Sequence, residues 1–197
     1  DADAHNVYII SNDDKIIVED DGKGMSYEKG EVTKYLKVAA ISRTDETDSK
    51  TALNRLKMGR KGVGKLAALS VSEEVHVMTI ASGEKSGFVL SRHPQSEKLQ
   101  GITDENIHFE RITDNGTAIV MLNPQYHLHK TPTAIKRNLL KIFPAISEDF
   151  KIHIILGDTE DIIDSVDKEI GRELCACILL GDKSSNIQNT FTNEYPD

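Results

Sequence analysis

Val18-Glu19-Asp20-Asp21-Gly22-Lys23-Gly24-Met25 is the stretch on which the reading of this chain turns. A β-rich run from Lys15 to Glu19 ends here in carboxylates and then breaks at two glycines. A strand ending this way presents acid at its tip, and glycine, lacking a Cβ, lets a flat ligand lie close to the backbone. An adenine ring carries an amine donor beside a ring acceptor. A strand-end carboxylate accepts the first and holds a water for the second. Met25 suits the wall of such a pocket, being apolar and adaptable. Two plainer readings stand beside this one. An acidic turn needs no ligand. A calcium loop opening at Asp20 would have Glu31 at its twelfth position, but Lys23 interrupts the oxygen ligands and Glu28 falls where a helix is expected.

A second glycine block follows at Met58-Gly59-Arg60-Lys61-Gly62-Val63-Gly64-Lys65. Its three glycines let backbone N–H groups converge on an anion. A helix starting near Val63 adds the positive end of its dipole, and Lys61 and Lys65 add full charges. From Ser49 to Ser72 there is no acidic residue, while Lys50, Arg55, Lys57, Arg60, Lys61 and Lys65 all occur. A solvated basic face or an ordinary glycine-rich helix entry explains either feature alone; their coincidence favours an anion site. The spacing follows a Walker loop up to Lys65, but Leu66 stands where Ser or Thr must ligate magnesium, and a polar stretch replaces the preceding buried strand. The dinucleotide pattern G-x-G-x-x-G fails as well, because the order here is G-x-x-G-x-G.

Composition bounds the rest. The chain has 197 residues, 38% hydrophobic and 28% charged, which suits one soluble globular domain with or without an appendage. No apolar run is long enough to span a membrane, and the acidic start is unlike a signal peptide. Opening on Asp1-Ala2-Asp3-Ala4 without Met, the chain reads as a fragment of a longer protein. A net charge of −8 gives no support to nucleic-acid binding. Cys175 and Cys177 lie in an apolar stretch without zinc-ligand spacing and read as buried thiols, consistent with a cytoplasmic location.

Val7 to Ser11 and Lys15 to Glu19 read as a hairpin around Ser11-Asn12-Asp13-Asp14. A helix is expected from Ser26 to about Ile41, a loop over 42–54 and a short helix from Lys65. Val75 to Ile80 and Phe88 to Arg92 read as strands. Asn106 to Ile112 and Thr117 to Leu122 read as a hairpin around Asp114-Asn115-Gly116. Thr131-Pro132 opens a helix to about Phe143, with Lys130, Lys136, Arg137 and Lys141 making one basic side, read as solvated. Phe150 to Leu156 reads as a strand, Asp167 to Glu173 as helical, and Leu174 to Leu180 as a buried strand. The order implies an α+β fold, a mixed sheet with helices on one face.

Taken in order, Asp20, Gly22 and Gly24 followed by Met25, then Gly59, Gly62 and Gly64, resemble the GHKL ATPase superfamily. Its members include the DNA gyrase B subunit, heat-shock chaperones, histidine kinases, MutL and the MORC proteins. Asp1-Ala2-Asp3-Ala4 resembles the end of its first motif, and Gly116-Thr117 its late glycine–threonine pair. The likeness covers residues 1 to about 122. The continuation Lys65-Leu66-Ala67-Ala68-Leu69-Ser70 looks closest to prokaryotic chaperone-like or MORC-like ATPases.

The resemblance implies a Bergerat-type two-layer sandwich, mostly antiparallel, spanning 1–157, with 42–62 as an ATP lid and 158–197 as an extension. It implies an ATP-binding domain that couples lid closure to conformational change, with ATP and Mg2+ as cofactors. Asp20 would recognise adenine, with Gly22, Gly24 and Met25 lining the base pocket and Thr117 joining the water-linked network. Gly59, Gly62, Val63 and Gly64 would serve the lid and the phosphates, with Lys61 and Lys65 as further phosphate contacts. The family's water-activating Glu and magnesium-ligating Asn would precede Asp1, so hydrolysis is expected only in the intact protein. A homodimer is a possible partner arrangement. A histidine-kinase catalytic domain and a non-hydrolysing nucleotide sensor stay open as alternatives.

Overall fold

The computed structural model describes residues 2–37, 50–55, 57, 63–96, 98–128, 130–142 and 149–164. Eight strands form one sheet: β1 (Asn6–Ser11), β2 (Lys15–Asp20), β3 (Glu74–Ala81), β4 (Glu84–Ser91), β5 (Gln100–Gly101), β6 (Gly116–Leu122), β7 (Lys151–Leu156) and β8 (Thr159–Ile163). Their spatial order is β5-β4-β3-β6-β2-β1-β7-β8. Every neighbouring pair is antiparallel except β1 with β7. Among the described residues three α-helices accompany the sheet: α1 (Glu31–Leu36), α2 (Gly64–Val71) and α3 (Pro132–Ile142).

Strand register sorts the side chains. Successive residues of a strand point to opposite faces, and residues paired across a ladder share a face. One face therefore carries the row Ile16–Met121–Val75–Leu90 and, next to it, Val18–Ile119–Val77–Phe88. Ala68, Leu69 and Val71 of α2, with Tyr35 and Leu36 of α1, pack on these rows. Further along the same face, Ile135 of α3 covers Ile152, Ile154 and Ile163. All three helices thus lie on one face, as expected of the α+β sandwich. Each fully buried Val, Ile or Phe contributes about 1.5–3 kcal/mol relative to exposure, so the two apolar rows dominate the stability of this half of the sheet.

Three expectations need correction. Residues 106–112 are not a strand beside β6, because β2 and β3 already occupy both of its edges. That segment crosses the other face, where Ile102, Ile107 and Phe109 pack on Ile17, Met78, Ala118 and Val120. The first helix begins later than Ser26: Gly30, at φ 71°, caps it, and Ser26 to Gly30 turn back on themselves through Gly30 N–H to Tyr27 O. The basic side of α3 is split. Lys136 is buried and donates to Asp161 Oδ1 at 3.2 Å and to the Ile162 carbonyl at 3.0 Å. Beyond 157, β8 continues the sheet by pairing with β7. The expected elements at 167–180, including Cys175 and Cys177, lie outside the described residues.

Candidate nucleotide site

On the helix-covered face the two apolar rows give way to a polar one: Asp20, Thr117, Thr79 and Ser86, side by side on β2, β6, β3 and β4. Immediately beyond it, the chain leaves β2 through Gly22 and Gly24. The sheet thus carries its own change from core to site within one step of register.

Asp20 is flanked by two other carboxylates, and the three have separate partners. Glu19 points to the opposite face and is fully buried. Its oxygens accept the N–H groups of Glu110 at 2.7 Å and Arg111 at 2.9 Å, pinning the segment that crosses that face. Asp21 accepts the N–H groups of His5 and Asn6, each at 2.7 Å, and the Asn6 side-chain amide at 2.7 Å. Burial pushes the Asp21 carboxyl up, but the Asn6 and His5 donors outweigh it and hold it below the usual carboxylate range. Asp20 receives the Gly22 N–H at 3.0 Å on Oδ1, and among the described residues its second oxygen has no protein partner. Burial pushes its carboxyl up to about 6, the Gly22 N–H opposing and the Asp21 charge adding to the rise. The second Asp20 oxygen is not among the buried unsatisfied atoms, so at the polar end of an apolar face it is accessible to accept a hydrogen bond from a ligand.

The backbone around Asp20 admits no added bulk. Gly24 sits at φ 69°, and a Cβ there would lie 2.0 Å from the Ile80 carbonyl oxygen. A Cβ on Gly116 would lie 2.2 Å from the Asp20 carbonyl oxygen. Thr79, buried and absent from the sequence reading, ties these pieces together. Its hydroxyl accepts the Met25 N–H at 2.8 Å and donates to the Gly116 carbonyl at 3.0 Å. Thr117 stands opposite Asp20 in the ladder. Met25 packs on the edge of the apolar core.

Of the second block, Gly59, Lys61 and Gly62 lie outside the described residues. Val63 caps α2 and is exposed, and Gly64 is its first residue. Lys65 turns its ammonium toward α1, donating to the carbonyls of Tyr35 and, at 2.7 Å, Lys37. Burial holds its pKa below the usual lysine range. Residues 50–55, within the expected lid, are tied to the start of the chain. The Asp3 carboxylate accepts the Leu53 N–H at 3.3 Å, and Arg55 reaches the carbonyls of Ala4 and, at 3.0 Å, Asp149. The Arg55 guanidinium also lies over the Phe150 ring. A cleft of about 400 Å³ opens between the 23–31 loop and the β3–β4 turn, lined by residues including Lys23, Ser26, Glu31, Ala81 and Glu84. It adjoins the Asp20 row without including it. Among the described residues no cluster of His, Cys, Asp or Glu could hold a metal ion.

The family described as histidine kinase-, DNA gyrase B-, and HSP90-like ATPase matches residues 1–117, more than half of the chain. The chain belongs to this ATPase family. Among curated relatives, a putative type II restriction enzyme, HgiDII, from Herpetosiphon aurantiacus is 26% identical over 98% of the chain. The chain spans 31% of that relative's length. Among solved structures, the 43K ATPase domain of Thermus thermophilus gyrase B, solved with an aminocoumarin, matches with a TM-score of 0.52 at 17% identity. That match covers 91% of this chain and 46% of the gyrase chain, and it shows a shared fold. Among the described residues no helix is long and apolar enough to cross a membrane.

Proposed function

We propose that this chain binds ATP with its adenine amine on the free oxygen of Asp20. That oxygen, without a protein partner among the described residues and at the polar edge of the helix-covered face, is the observation that carries the reading. Gly22 and Gly24 let the chain leaving β2 pack closely against Ala2 and Ile80 and so shape the pocket, Met25 walls the ring, and Thr117 holds the water that serves the adjacent ring acceptor. The closely packed backbone at Gly24 supports a preformed cradle. Gly59, Gly62, Val63 and Gly64 serve the phosphates through backbone N–H groups, and Lys61 adds charge. Lys65 does so on leaving the α1 carbonyls. Magnesium would enter with the nucleotide, as it does in this ATPase family. Calorimetry with ADP tests the base assignment: Asp20→Asn should weaken binding by about 10- to 100-fold or more, and an unchanged dissociation constant overturns it.

Residues 42–62 form the lid in this reading, and closure over ATP drives conformational change, with dimer contacts as one outlet. A non-hydrolysable ATP analogue should protect this segment from proteolysis; identical cleavage with and without it counts against a lid. A second reading concerns the process served. The likeness to a putative restriction enzyme along nearly the whole chain favours an ATPase module within a larger DNA-acting protein over a chaperone-like one. The net charge of −8 assigns DNA contact to other parts of that protein. Stimulation of ATP hydrolysis in the intact protein by duplex DNA is the expected result. A rate indifferent to DNA favours the chaperone-like reading.

A further inference from the structure

Behind Asp20, on the face away from the helices, a chain of polar contacts links the two carboxylates that flank it. Asp21 Oδ2 accepts a hydrogen bond from Asn6 Nδ2 at 2.7 Å. The other end of that amide, Asn6 Oδ1, lies 3.1 Å from His153 Nε2 on β7. His153 Nδ1 lies 2.8 Å from Glu160 Oε1 on β8. Glu160 Oε2 faces the Arg111 guanidinium at 4.0 Å, and the backbone N–H of Arg111 is one of the two held by Glu19. The ring of His153 is stacked on Tyr8, with centroids 4.5 Å apart, so its plane is fixed as well as its ends.

The middle of this chain is a choice between two orientations of one amide. The oxygen and nitrogen ends of asparagine have nearly the same shape, so its partners decide which end points where. Facing Asp21 with the nitrogen gives a charge-assisted bond; facing it with the oxygen sets an acceptor against a carboxylate. In its imidazolium form His153 donates from both nitrogens: Nε2–H holds the Asn6 oxygen on its own side and leaves the amide nitrogen for Asp21, while Nδ1–H to Glu160 keeps the ring in place. Asp21 in turn holds the His5 and Asn6 N–H groups, and its own N–H reaches the Asn6 carbonyl at 3.2 Å. The peptide carrying Asp20 is therefore oriented from the back of the sheet.

We propose that His153 is a positioning residue for the nucleotide-binding carboxylate, acting on Asp20 through Asn6 and Asp21. This rests on the reading of Asp20 as the adenine acceptor. The test is ADP calorimetry in the intact protein, with thermal melting of each variant in parallel. His153→Phe keeps the ring on Tyr8 and removes both hydrogen bonds; it should weaken ADP binding about fivefold, the worth of one net hydrogen bond. His153→Gln, which retains a donor for Asn6, should stay within about twofold of the parent, and the double variant with Asp21→Asn should bind no more weakly than Asp21→Asn alone. A folded His153→Phe that binds like the parent overturns the proposal, as do penalties that multiply in the double variant. Asn6→Ala removes the middle link and decides the matter by the same fivefold criterion if His153→Phe does not fold. Asp20→Asn is measured alongside. If it leaves affinity unchanged, the adenine assignment falls and this inference with it; if it weakens binding while His153→Phe does nothing, only this inference falls.

Discussion

Glu19 and Asp20 are chemically almost the same group, one residue apart on one strand, and they have opposite situations. Glu19 is sealed under the crossing segment with a donor for each oxygen. Among the described residues Asp20 has a single protein donor, Gly22, and its second oxygen has none, at the edge of the core. The difference comes from strand alternation: one step of register moves a carboxylate from the face closed by residues 102–112 to the face that opens into the site. Composition or charge patterning treats Glu19-Asp20-Asp21 as an acidic cluster. Register divides it into an anchor, a proposed nucleotide acceptor and a brace.

Substitutions can break or sharpen that contrast. The largest effect is expected where both faces meet. Gly24→Ala combines a left-handed backbone with a 2.0 Å approach to Ile80 O, and should cost about 3 kcal/mol or more of stability, read as a fall in urea midpoint. Glu19→Ala strands the Glu110 and Arg111 N–H groups under the crossing segment, for about 2–4 kcal/mol. It should lower the melting temperature, and ADP should still bind the folded fraction. Loss of binding without loss of stability would erase the distinction between the neighbours.

Asp20→Asn should behave in the opposite sense. Binding should fall by about 10- to 100-fold or more, the range for a hydrogen bond to a charged group. Stability should rise. A carboxyl whose folded pKa is about 6, against a model value of 3.8, penalises the folded state at pH values above about 6 and is relieved as pH falls through that value. Removing the charge should therefore stabilise the protein at pH 8 by about 1–3 kcal/mol, measured by denaturant melts of both proteins. A destabilised variant would mean that the Asp20 carboxylate holds the fold together, as Glu19 does.

The same titration gives the mildest test. Adenine recognition needs the ionised acceptor, so ADP affinity should be level above pH 7 and fall about tenfold per unit well below pH 6. A pH-independent dissociation constant between 5 and 7 would show that the titrating group is not the ligand.

Much of this contrast could be read without coordinates. Alternation and turn residues located β1, β2, β3 and β4, and the break at Gly22 and Gly24 marked the end of β2 as a candidate site. Glu19 was visible only as strand composition, because its partners are backbone N–H groups some ninety residues away, which leave no trace in side-chain pattern. Thr79 escaped for a related reason: threonine is at home in any strand, and only the approach of Met25 and Gly116 makes its hydroxyl matter. The misread hairpin at 106–122 had a sound turn signal in Asp114-Asn115-Gly116. What overrode it was tertiary: β6 inserts between two strands distant in sequence, and the alternating apolar residues at 107 and 109 serve as cover for a sheet face. The family pattern added the order of the glycine blocks, which local physics alone leaves as two separate loops.

The insertion of β6 between β2 and β3 also dictates when the site can exist. Asp20, Thr79 and Thr117 come from three strands that no short turn connects, so their alignment waits on two long loop closures. Such non-local pairing is slow to form. No early hairpin, whether β1 with β2 or β3 with β4, contains the whole Asp20–Thr117–Thr79 row. A nucleotide that needs this row therefore binds only chains whose central three strands have already assembled, and stabilises them by mass action. In refolding experiments, recovery of ADP binding should trail the appearance of strand signal, making the ligand a probe of sheet completion.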